Sequence, residues 1–108
     1  MFRISSNGKM QIIRGDTAEF MVDILNRDDT PYELQEGDEV VFSVKNKTSN
    51  DDRELIRKNG PYVVIEPGDT SELPFGRYYY DVQVRFADGS IDTIIPRNVF
   101  EIMEEVTR

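Results

Sequence analysis

Cysteine and histidine are both absent from the 108 residues. Without cysteine there is no disulfide, thiolate nucleophile, cysteine-bearing zinc site or iron–sulfur cluster, and the redox compartment leaves no mark on the sequence. Without histidine there is no Ser-His-Asp triad, no H-E-x-x-H zinc site and no imidazole pH switch. Long apolar runs are missing too: stretches such as residues 62–65 fall far short of the roughly 20 residues that span a bilayer. The N-terminus carries no continuous apolar h-region, so the chain reads as soluble and unexported, made in the cytoplasm of its cell. The seven glycines are scattered singly among turns, which leaves no glycine-rich phosphate loop.

Basic residues are scarce relative to acidic ones, 13 against 21, for a formal net charge of −8. Residues 1–54 hold 7 basic and 12 acidic side chains, residues 55–108 hold 6 and 9, so no basic tail or stripe is hidden in either half. Nucleic acid and anionic membrane are therefore poor partners. The length is that of one domain, 1–108, with residues 1–8 expected to be a loose or edge segment. Folding at this size hides roughly two-thirds of the surface of the unfolded chain, enough for a hydrophobic core without covalent staples.

Residues 77–86 alternate cleanly: Tyr78, Tyr80, Val82, Val84 and Phe86 on one parity, Arg77, Tyr79, Asp81, Gln83 and Arg85 on the other. Period two predicts a half-buried strand. Asp88-Gly89 supplies the turn of a hairpin, and residues 91–95 resume an extended pattern. Pro96 has no N–H for a ladder and should break or bulge that strand before residues 99–103 continue it with Phe100 and Ile102 inward. Upstream, residues 9–13 and 17–26 are extended, the latter with Phe20, Val22 and Ile24 inward and Glu19, Met21 and Asp23 outward. A run of turn formers over 26–31 follows. Residues 39–45 alternate through Val40, Phe42 and Val44, and residues 46–52 read as a polar surface loop.

Residues 53–58 fit a helical turn or a short edge strand equally well and are read as a strand. Residues 62–66, with Ile65 inward, form a strand that ends at Pro67-Gly68, and residues 69–73 read as one helical turn capped by Asp69. Seven to eight short strands separated by turn signals predict an all-β fold, an immunoglobulin-like antiparallel β-sandwich. One detail favours that sandwich. Leu73-Pro74-Phe75-Gly76-Arg77-Tyr78 places a turn and a glycine just before a tyrosine, as in the tyrosine corner at the start of strand F. Tyr78 is the corner candidate, and Tyr80 then stands where antibody domains carry a disulfide cysteine.

Several motifs invite chemical readings. Arg14-Gly15-Asp16 spells the integrin-binding tripeptide, yet with Thr17 following it reads more simply as a turn whose side chains satisfy backbone N–H groups. Gly68-Asp69-Thr70 repeats the Gly-Asp-Thr part at a second change of direction. The pairs Asp28-Asp29, Asp51-Asp52 and Glu104-Glu105 lie in polar loops or at a terminus, where solvent keeps carboxylates ordinary and gives no acid/base site. Asn26, Asp28 and Asp29 offer calcium-type oxygens without EF-hand spacing. No metal or cofactor is expected. Alternation leaves Tyr79 alone on the outer face, too little for a stacking platform. The positions Met21, Val41, Val64 and Ile94 are apolar where the outer parity of a monomer prefers polar groups. With Tyr79 they make the candidate docking surface, while Lys45, Lys47 and Pro96 guard edges.

Taken in order, these pieces resemble a known family. Ile13-Arg14-Gly15-Asp16-Thr17, Asp29-Thr30-Pro31-Tyr32-Glu33-Leu34 and Val40-Val41-Phe42-Ser43-Val44-Lys45 are similar to the opening of the immunoglobulin-like N-terminal domain of phage upper baseplate proteins. Asp69-Thr70, Leu73-Pro74, Gly76-Arg77-Tyr78-Tyr79-Tyr80-Asp81-Val82, Thr93-Ile94-Ile95 and Phe100-Glu101-Ile102 resemble the second half of that domain and of its relatives in tail proteins of phages of Gram-positive bacteria. The resemblance runs over about residues 9–107 and implies a virion component that docks onto other tail or baseplate proteins, with self-association open. In that family a downstream linker, often helical and trimerising, carries host recognition. This chain stops at Arg108, as either a small stand-alone relative or a domain of a longer protein. The family supplies no catalytic residue to carry over, so the expectation is a non-enzymatic structural module. The rivals are a carbohydrate-binding or adhesion module using Tyr79, the Arg14 turn and the 46–52 loop, and an acidic hydrolase.

Overall fold

The computed structural model describes residues 3–4, 7–46 and 53–104. In chain order the elements are β1 (Arg3–Ile4), β2 (Met10–Ile13), β3 (Ala18–Met21), β4 (Glu39–Lys45), β5 (Glu54–Gly60), β6 (Tyr62–Ile65), the helical turn α1 (Pro67–Thr70), β7 (Gly76–Arg85) and β8 (Ile91–Met103). They form a six-stranded sheet in the order β1-β2-β8-β7-β4-β5 and a two-stranded sheet, β3-β6. The protein is an all-β, sandwich-like fold. By position, β3 and β6 match strands B and E of an immunoglobulin domain, and β4, β7 and β8 match C, F and G, with β5 as the extra strand beside C.

The core forms where the two sheets face each other. Of the positions expected inward, Val22, Val40, Phe42, Val44, Ile65, Tyr78, Tyr80, Val82 and Val84 are buried, and Phe20, Ile24 and Phe86 pack half-buried against them. Phe42 on β4 is the centre of this contact. Its ring centroid lies 5.4 Å from Phe20 of β3, 5.6 Å from Tyr80 of β7 and 6.2 Å from Phe100 of β8. Phe20, Phe42 and Tyr80 thus occupy the strand B, C and F places that antibody domains give to cysteine, tryptophan and cysteine. An aromatic cluster joins the sheets here by burial and edge-to-face packing.

Tyr78 forms the expected corner: its hydroxyl donates to the carbonyl of Pro74 at 2.6 Å, four residues upstream. Tyr80 donates its hydroxyl to the carbonyl of Gly8 and so pins the N-terminal segment over β7. At Gly8 φ is +91°, and an added Cβ would sit 2.5 Å from the Asn98 side chain, so the tether depends on glycine.

Four expectations change. The sheet is mixed, because β2 pairs parallel with β8 (Met10 to Phe100, Ile12 to Ile102). These strands come from opposite ends of the chain, so no tight turn forces them antiparallel. The strand over 17–26 shortens to β3 because its partner β6 has only four residues. Val22 N–H still donates to the Pro61 carbonyl at 2.8 Å, but Pro61 has no N–H to return. Beyond it the chain folds back on itself, with Tyr32 N–H on the Ile24 carbonyl and Asn26 N–H on the Thr30 carbonyl.

The helical turn begins at Pro67, not at residue 69, since proline suits the first helical position where no N–H is required. Asp69 therefore does not cap from outside. Its carboxylate reaches back to the Glu66 N–H at 2.7 Å and to Lys58 at 2.9 Å. Pro96 bulges β8 without ending it: the register against β7 shifts on both sides of Val82. The 46–52 loop, Asp51-Asp52 and Lys47 lie outside the described residues except for Asn46.

Candidate functional site

The five docking candidates do not form one surface. Met21 and Val64 lie on the outer face of the β3–β6 sheet, where Met21 is opposite Tyr62 and Glu19 is opposite Val64. Met21 is 61% exposed and Tyr62 50%, and Val64 is half-buried. Tyr79 is on the far side of the molecule, on the outer face of the six-stranded sheet, with the Arg97 guanidinium 4.1 Å over its ring.

Val41 and Ile94 are not surface groups. Val41 keeps the outer parity of β4 yet is 1% exposed. Polar side chains cover it: Arg57, opposite Ser43, reaches to Glu54 (3.4 Å) and to Glu39 (3.8 Å), Asn59 donates to Glu39 at 2.7 Å and Ser43 to Glu54 at 2.8 Å. Long polar side chains laid along a strand bury aliphatic surface under their stems. Ile94 packs against the core as the extra residue of a bulge, between Thr93 opposite Gln83 and Ile95 opposite Val82.

Around Met21 the structure gathers residues that strand parity does not reveal. Leu25 (54% exposed) and Leu34 (38%) line, with Met21, Ile24 and Pro31, an open apolar groove of 440 Å³ beside the small sheet. The sequence offered one signal, two leucines flanking the turn formers of 26–31, close enough in the chain to share a surface. The groove wall is held by polar contacts. Tyr32 donates its hydroxyl to Asp38 at 2.7 Å, Gln35 N–H donates to the same carboxylate at 2.9 Å, and Tyr32 stands edge-on to Phe86. These donors hold Asp38 below the usual aspartate range, Gln35 first, and the same bond raises the Tyr32 phenol. On the sheet face, a hydrogen bond to Glu19 raises the Tyr62 phenol.

No family model matches the chain, and no curated protein matches it closely enough to count as a relative. The reading therefore rests on the residues themselves.

The tripeptide Arg14-Gly15-Asp16 is a turn: Asp16 N–H donates to the Ile13 carbonyl at 3.0 Å, and Gly15 has φ of +87°. Its second anchor is unexpected. The hydroxyl of Thr70, fully buried, accepts the Gly15 N–H at 2.9 Å, so the second Gly-Asp-Thr copy holds the first. Arg14 lies 4.1 Å over the Phe75 ring. Asp28 accepts from the Thr30 hydroxyl and N–H, and these bonds lower its pKa. Asn26 spends its amide on Thr30 and Pro31. Among the described residues no group of three or more carboxylates is placed to hold a metal ion, and no helix is long and apolar enough to cross a membrane.

Proposed function

We propose that this chain is a non-enzymatic structural module of a phage or prophage tail or baseplate, which docks onto another tail protein through the outer face of β3–β6 and the adjoining groove. The observation that carries the docking reading is the exposed cluster of Met21, Tyr62, Leu25 and Leu34 on a chain of net charge −8. Apolar groups gathered on one side of a highly charged chain are uncovered surface awaiting a partner. Among the described residues, both strands of the small sheet also have an outer edge with no strand beside it, and such edges are either protected or used for pairing. The assignment to phage particles comes from the ordered resemblance described above, and such a module works in the virion after synthesis in the bacterial host.

The test is a pull-down with the products of neighbouring reading frames, with light scattering to read self-association. Retention of a tail or baseplate protein, lost in a Met21→Glu/Val64→Glu double variant that melts like the parent, is the expected result. A monomer that retains none of them and binds a defined oligosaccharide would favour a carbohydrate-binding module instead.

A further inference from the structure

The groove beside the small sheet stands in the most acidic part of the chain. Residues 19–38, which run from β3 to the edge of β4, carry seven acidic side chains and one basic one, Arg27, whereas the other 88 residues hold 14 and 12. Most of the net charge of −8 is therefore gathered on the segment that also supplies Met21, Leu25 and Leu34 to the groove. Asp23 is in the groove wall, and Glu33 stands between two wall residues, Tyr32 and Leu34. Both acids are exposed, as are Asp29 and Glu36. Among the described residues none of these four makes an ion pair, and no lysine or arginine lines the groove. Two further carboxylates of the segment are held below the usual aspartate range, Asp28 by Thr30 and Asp38 by Gln35 and Tyr32, and so keep their charge.

We propose that this groove receives a cationic apolar segment of the partner protein, with aliphatic side chains seated among Met21, Leu25 and Leu34 and with lysines or arginines on Asp23 and Glu33. The proposal rests on the docking reading above and adds the chemistry of what docks. Apolar groups at the centre of a contact with opposite charges at its rim are the arrangement of a specific interface. The same field draws a cation in from a distance. A second copy of this chain fits poorly, because a symmetric pair lays this face on itself, like charge against like. An anionic lipid surface is repelled in the same way.

Fluorescence anisotropy with the fluorescein-labelled peptide Lys-Lys-Leu-Leu-Lys-Lys tests it on the intact chain. Saturable binding that weakens as salt rises is expected, tighter than that of hexalysine, which lacks the leucines, and tighter than that of Glu-Glu-Leu-Leu-Glu-Glu. Asp23→Asn/Glu33→Gln should lose about fivefold, as two exposed ion pairs imply, and Leu25→Ser/Leu34→Ser about tenfold. Glu72→Gln/Glu104→Gln removes the same charge from residues that do not line the groove and should bind like the parent. Thermal melts of the variants confirm that they fold. Carboxylates that serve only to keep the apolar face soluble predict equal binding by the parent and Asp23→Asn/Glu33→Gln. That result overturns the proposal, as does the absence of saturable binding, or binding of hexalysine or of the acidic peptide as tight as that of the probe. The assay uses no tail protein, so a pull-down that retains nothing counts against the docking partner, while the peptide reports on the groove alone.

Discussion

Replacing Phe42 with alanine removes the ring on which β3, β4, β7 and β8 converge. A phenylalanine buries on the order of 200 Å², and at about 25 cal/mol per Å² that is roughly 5 kcal/mol. Alanine keeps its own methyl and the unfolded chain already buries part of the ring, which together trim that figure. The expected cost of Phe42→Ala is therefore about 4 kcal/mol, inside the range of about 3–5 for such truncations. A domain of this size has roughly 5–15 kcal/mol to lose. With a urea dependence of about 2 kcal/mol per molar, the midpoint should fall by about 2 M at constant slope. The internal control is Phe75→Ala, because Phe75 is 42% exposed and packs on Arg14. The same chemical change there should cost under about 1 kcal/mol. A Phe42→Ala midpoint within the scatter of the parent, or a Phe75→Ala loss as large as that at Phe42, would refute the placement of the core.

Tyr78→Phe should cost about 1–3 kcal/mol, the hydrogen bond plus the penalty on the Pro74 carbonyl, whereas Tyr79→Phe should be nearly silent; denaturant midpoints compare them. Thr70→Val keeps the shape but leaves the Gly15 N–H without its acceptor; because Gly15 is itself exposed, water limits the expected loss to about 1 kcal/mol. Asp38 is held below its ordinary pKa by Gln35 and Tyr32, so its contribution is complete above the unfolded value, about pH 4, and is lost as pH falls through the lower folded value. Thermal melts from pH 6 to pH 2 should therefore show a shallower decline for Asp38→Asn than for the parent, and identical slopes would reject that role.

Period-two alternation was a sound guide where one face of a strand meets the core and the other meets water, as in β7. It identifies parity, though, not what lies above a given side chain. Val41 has the outer parity and is still buried, because Arg57, Glu54, Glu39 and Asn59 bridge over it. Ile94 departs from its expected side for a different reason. It is the extra residue of a bulge in β8, and a bulge breaks the strict alternation of faces at that point. The tyrosine corner was legible because its donor and acceptor are four residues apart. The apolar surface was only half legible, since Met21 and Tyr62 become neighbours through pairing across some forty residues of chain, and local pattern does not record it. The same holds for Thr70 and Gly15, which are 55 residues apart.

Hydrogen–deuterium exchange on the complex with the tail or baseplate protein proposed to bind it tests the docking claim most directly. Binding over the small sheet predicts slowed exchange in β3 and β6 and in the 25–34 segment beside them, with the outer face of the six-stranded sheet unchanged. Protection confined to the six-stranded sheet, or none at all in β3 and β6, would contradict it.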